Sequence, residues 1–261
     1  MKSLFPALWA EILKIRRSIM FWITIIVSLF IIVMMGFLMF VLKYPEYARK
    51  YRLVAAKASF IGKADWPSYL GMLTMAMATG GMVGFGFVTS WIFGREYADR
   101  TIKDLLSLPT SRSSIVLSKF ISLGIWCFLL SILIFFLGIP TGFVLDLADW
   151  TFEAFQRGVI TYTATCLSTI LLCTPVAFFA SFGRGFLPPL GFVVLTMILA
   201  QVILVLGYGH YFPWAIPALL SGAAGSESAQ LLNGMSYIFF FLTSAAGLFA
   251  TFAWWRFADQ T

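Results

Sequence analysis

Charge is scarce in this chain. Asp, Glu, Lys and Arg make up 11% of its 261 residues, while 61% are hydrophobic and the mean hydropathy is +0.92. A soluble domain carries about 25% charged residues, and one of this length cannot cover so much apolar surface. The chain is therefore expected to be an integral membrane protein, with no separate soluble domain. Histidine is nearly missing: His210 stands alone among aromatics, which removes two-histidine haem ligation within one chain and leaves it a hydrogen-bonding or interfacial role. Cys127, Cys166 and Cys173 lie inside apolar runs with no CxxC spacing, so they read as small packing residues. No HExxH, no GxSxG and no pair of intramembrane aspartates occurs, which argues against membrane hydrolases and proteases. No Walker A pattern occurs either, and Gly183-Arg184-Gly185 reads as a tight turn. No cleavable leader is expected, because the first apolar run is too long and no small-residue cleavage site ends it. Internal repeats and low-complexity tracts are likewise missing.

Six long apolar runs are present, at about 19–42, 69–93, 120–143, 158–182, 186–206 and 234–255. A helix of 24 residues is roughly 36 Å long, enough to cross a hydrocarbon layer of about 30 Å. The expected fold is all-α, a single transmembrane domain over 1–261. None of the six runs carries an ionisable group at its middle, which argues against an ion relay, and so against an ion-coupled carrier or a voltage sensor. The formal charge of +7 is read as a topology signal rather than a nucleic-acid footprint. With the N-terminus inside, eleven of the eighteen Lys and Arg fall on inner segments and seven on outer ones. That bias places both termini in the cytoplasm.

Ahead of the first run, residues 1–18 carry Phe5, Leu8, Ile12 and Ile15 at helical spacing, with Glu11, Lys14, Arg16 and Arg17 elsewhere on the helix. This predicts a helix lying in the membrane interface, its basic groups toward headgroups. The outer loop 43–68 is basic and aromatic, with a helical pattern from Pro45 to Ala58, and is read as a solvated loop or a surface for anionic lipid or peptide. The outer segment around Trp150 predicts a short interfacial helix. Residues 207–233 are too apolar for a free loop and too broken by Pro213, Pro217 and glycines for a span, so a re-entrant outer hairpin is expected. Gly80 and Gly84 form a small-xxx-small pair, a candidate packing interface within the bundle or between two copies.

The one long polar run in the central chain is Gly94–Phe120. Ala98, Ile102, Leu105 and Leu106 form an apolar stripe expected to face headgroups or a partner. Glu96–Arg100, Asp99–Lys103 and Arg100–Asp104 are i, i+4 pairs on the helix's other faces. Pro109 stops the helix, and Thr110 or Ser111 caps the next. Such a helix-turn-helix between two spans is a handle for another protein.

The same residues resemble the permease subunits of type-2 ABC exporters. In that family an Arg-Glu start after the second span precedes a Gly or Thr, a Leu-Leu pair, a Pro and an Arg. Here these are Arg95, Glu96, Thr101, Leu105, Leu106, Pro109 and Arg112, with Arg100 where a Gly usually precedes the Thr. The resemblance covers the whole chain. It implies an N-terminal elbow helix (Glu11, Lys14, Arg16, Arg17), a cytoplasmic coupling region over 94–119 with Asp99 and Arg100 among its contacts, and a hairpin before span six. It also implies two ATP-binding subunits carrying ATP and Mg, a second permease, identical or homologous, and a bacterial cytoplasmic (inner) membrane location. No cofactor, metal, catalytic residue or nucleic-acid partner is implied for this chain. The expected cargo is amphipathic, a peptide or lipid, with antimicrobial-peptide export or immunity one form of it. The competing classes are a non-transporting scaffold that recruits a cytoplasmic partner, and a channel or secondary carrier.

Overall fold

The computed structural model describes residues 4–46, 63–107, 109–222 and 228–258. Among them no strand forms, and the elements are helices. An N-terminal helix α1 (Leu4–Arg16) leads into α2 (Ile19–Lys43), α3 (Trp66–Ala98), the short α4 (Ile102–Leu106), α5 (Arg112–Val144), α6 (Phe152–Phe182), α7 (Leu187–Val205), the short α8 (Ile216–Leu220) and α9 (Gly234–Phe257). Six of these, α2, α3, α5, α6, α7 and α9, are long and apolar enough to cross a membrane.

Five of the six long helices start where a short polar side chain satisfies an orphan amide, and α7 starts instead with Pro in its first turn. Ser18 accepts from Phe21 N, Asp65 from Ser68 N, Ser111 from Ser114 N and Thr151 from Ala154 N. At α9, Asn233 and Ser236 form a reciprocal capping box. Helix α6 opens at Phe152, so the segment near Trp150 is the head of this span and not a separate interfacial helix. Thr151 is what starts it early. The preceding turn holds Asp146 and Asp149 at positive φ.

The core gathers on α3. Tyr69, Leu73, Val88 and Phe93 are fully buried, while Ile26, Phe30 and Val33 on α2 face outward, as hydrocarbon requires. Inside the bundle, hydroxyls turn back onto carbonyls: Thr74 to Leu70 O and Thr89 to Phe85 O on their own helix, Tyr69 to Gly138 O and Tyr162 to Ser131 O across helices. The three cysteines are free and buried. At one end of the bundle Trp66 packs against Trp150 and Phe143, ring centroids 4.5 and 4.8 Å away, and its amide donates to Ala148 O.

Within 207–233 the described residues form turns at Gly209–Tyr211, Pro213–Ala215 and Ser228–Leu231 around α8. Ala215, Ile216 and Leu219 are buried, packing the broken segment against α6, α7 and α9. Most of the outer loop, including the predicted helix Pro45–Ala58 from residue 47 on, lies outside the described residues.

Helix α3 contains a π turn, Met77–Gly81. A Cβ at Gly84 would meet nothing within 4 Å, and one at Gly80 only Ile31 Cδ1 at 3.9 Å. Close contact within the chain falls on Gly86 instead, where a Cβ would sit 2.7 Å from Val193 Cγ2. Gly80 and Gly84 border an apolar cavity of about 310 Å³ between α2, α3 and α5.

Candidate functional site: the charged foot of the bundle

Helix α1 is amphipathic in an unexpected sense. Its buried positions are Glu11 and Ile15, with Leu8 and Ile12 half-buried beside them and Phe5 exposed. Glu11 therefore points into the bundle, and Lys14, one of the basic groups expected at headgroups, turns to Glu11 and Glu96 instead. Glu11 meets Lys14 of the same helix and Lys119 in the second turn of α5, and both lysines also reach Glu96 near the end of α3.

The four side chains form one ion cluster. Lys119 Nζ lies 2.8 Å from both Glu96 oxygens and donates a third bond to Ile92 O at 2.8 Å. Lys14 Nζ reaches Glu96 Oε1 at 3.0 Å and Glu11 Oε1 at 2.6 Å, and Glu11 Oε2 lies 3.6 Å from Lys119. Lys119 is completely buried, flanked by the Phe93 and Trp255 rings. Two carboxylates and two ammoniums cancel in charge, and Lys119 spends all three donors. Only such pairing makes burial of these groups tolerable. Burial alone would lower the Lys14 pKa, but the Glu96 and Glu11 carboxylates outweigh it and hold the ammonium above its ordinary value.

The handle beyond Glu96 is not a continuous helix. Helix α3 stops at Ala98, Arg100 takes φ 58°, and Thr101 N bonds back to Glu96 O at 2.9 Å before α4 begins. The turn takes Glu96–Arg100, Asp99–Lys103 and Arg100–Asp104 out of helical register. The i, i+4 pair that forms is Arg95–Asp99, at 3.2 Å. Of the predicted apolar stripe, Ala98 is exposed while the rest faces inward: Ile102 is buried and Leu105 and Leu106 are half-buried against the bundle core. Arg100, Thr101, Lys103, Asp104 and Pro109 are the exposed side of this turn. Ser111, not Thr110, caps α5. Arg112 Nη1 lies 3.3 Å from Trp255 O and 3.4 Å from Arg256 O, a cation set against the C-terminal carbonyls of α9. Arg16 and Arg17 are exposed at the junction of α1 and α2.

Of the residues singled out in the sequence, then, Glu11, Lys14 and Glu96 come together in the buried cluster. Arg95 and Asp99 pair beside it, and Arg100 and Thr101 shape the turn. Lys119 was legible only as one more basic residue. Its one distinguishing signal is that it follows Ile115, Val116 and Leu117 inside a run that continues apolar from Phe120.

These features define a multi-pass helical membrane protein with a buried ion cluster at one foot. The chain belongs to the ABC-2 family of transporter proteins, whose model matches residues 7–202. It is similar to the bacitracin transport permease protein of Bacillus licheniformis, 25% identical over 175 residues that cover 67% of this chain and 83% of the relative. No solved structure matches it significantly. The chain is thus a permease subunit of an ABC transporter, a membrane component whose partner is an ATP-binding subunit.

Proposed function

We propose that this permease exports an amphipathic cargo, of antimicrobial-peptide or lipid character, and that its ATP-binding partner drives it through the charged foot. The observation that carries the reading is the buried Glu11–Lys14–Glu96–Lys119 cluster. It joins α1, α3 and α5 beside the exposed turn 99–104, so displacement of that turn moves three helices as one. Force applied at Arg100, Lys103 and Asp104 passes through the short Thr101–Glu96 link into the spans. Two copies of the permease and two ATP-binding subunits complete the assembly in this reading. Both termini and the turn lie in the cytoplasm of a bacterial inner membrane.

The cargo class rests on the relative, whose name assigns it bacitracin transport, and bacitracin is the first compound to try. The chain is co-expressed with its ATP-binding subunit and inverted vesicles are assayed for ATP-dependent bacitracin uptake. Reversing the exposed pair, Lys103→Glu with Asp104→Lys, is expected to lower ATP-driven uptake about tenfold while the complex still assembles. Uptake independent of ATP indicates a channel, and assembly without uptake of any amphipathic compound indicates a scaffold. Either outcome overturns the reading.

A further inference from the structure

On the other side of Lys14 from the ion cluster, a cleft of about 580 Å³ opens between α1, the head of α2 and the foot of α3. Its size is that of a small-molecule site, and of the coupling path above it shares only Lys14. Three cationic side chains line it, Lys14, Arg17 and Arg95, against one carboxylate, Asp99. Lys14 is engaged by Glu11 and Glu96, and Asp99 by Arg95. Arg17 has no ion pair among the described residues, so its guanidinium is the uncompensated charge. Apart from Ser18 the rest of the wall is apolar: Trp91, on whose ring Arg95 stacks at 5.0 Å, with Met20 and Phe186 among others. The polar groups lie where α2 and α3 leave the apolar layer, with apolar groups next to them. A site with a cationic rim and an apolar flank at this level matches a lipid headgroup and its first methylenes.

We propose that this cleft binds the phosphate of an anionic membrane phospholipid, with Arg17 as the principal contact and Arg95, held on Trp91, as the second. The bound lipid fills the space between α1 and α3 and ties the interfacial helix to the bilayer. The proposal requires only the membrane setting and is independent of cargo, partner and direction of transport.

The test uses the full-length protein purified in detergent and offered equimolar phosphatidylglycerol and phosphatidylcholine, with retained lipid counted by native mass spectrometry. The wild type is expected to retain phosphatidylglycerol preferentially. Arg17→Gln is expected to lower that retention about fivefold and Arg17→Gln with Arg95→Gln further, while Lys103→Gln, outside the cleft, changes nothing. Arg17 is exposed, so its single variant decides the matter if the double variant fails to fold. Unchanged retention in Arg17→Gln, or equal retention of phosphatidylcholine by the wild type, overturns the proposal. Displacement of the lipid by millimolar inorganic phosphate, with equal thermal stabilisation, assigns the site to free phosphate and overturns the lipid reading.

Discussion

Lys119 shows what a single side chain decides here. Removing its ammonium leaves Glu96 and Glu11 facing Lys14 alone in a dry site, and breaking a buried pair in this way costs about 3–5 kcal/mol. Lys119→Met is therefore expected to lower the thermal midpoint sharply, and Glu96→Gln in the same background to recover part of the loss. Thermal exposure of the buried thiols Cys127, Cys166 and Cys173 to a reactive dye reads out both. The cycle should return a coupling of roughly 1–3 kcal/mol. Lys14 gives the cluster a pH dependence of definite sign. Its folded-state pKa is raised above the ordinary 10.5, so its contribution is complete below that value and is lost as pH rises through the folded pKa. Midpoints measured from pH 9 upward should fall more steeply in the wild type than in Lys14→Arg, which keeps its charge.

At the level of elements, the turn after α3 explains a departure that the family pattern made visible. The exporter pattern that the sequence resembles has Gly before the Thr, and here Arg100 occupies that position with φ 58°. The left-handed conformation costs an ordinary residue roughly 1 kcal/mol and glycine nothing. Arg100→Gly should thus be stable, gaining up to about 1 kcal/mol in thermal unfolding, whereas Arg100→Val should lose stability. Gly84 and Gly86 make a second contrast on α3. Gly84→Ala meets nothing and should stabilise the isolated subunit by about 0.5–1 kcal/mol, while Gly86→Ala drives a methyl toward Val193 and should destabilise it. If Gly84→Ala instead weakens association of two copies in a crosslinking assay, the open face of Gly80 and Gly84 is the contact between them.

For the whole molecule, the decisive quantity is sidedness. Ser107 is exposed beside α4, and the native cysteines are buried. A single Ser107→Cys substitution therefore reports one surface. In intact cells it should resist an impermeant maleimide, and in inverted vesicles it should react. Labelling from outside would place the charged foot away from any ATP-binding subunit and remove the proposed drive. Periodicity and composition alone were enough to establish six helices long and apolar enough to span, a helix before them and the broken segment before the last, while the class of protein was legible only through the resemblance carried by Arg95–Arg112. These follow from hydrocarbon thickness and the 3.6-residue repeat, which act on every residue independently of distant ones. The direction in which Glu11 points, the partners of Glu96, the importance of Lys119 and the inward turn of Ile102 and Leu105 were settled only by tertiary packing. Residues 11, 96 and 119 are remote in the chain, and a charge on an amphipathic helix reads the same in sequence whether water or an opposite charge awaits it.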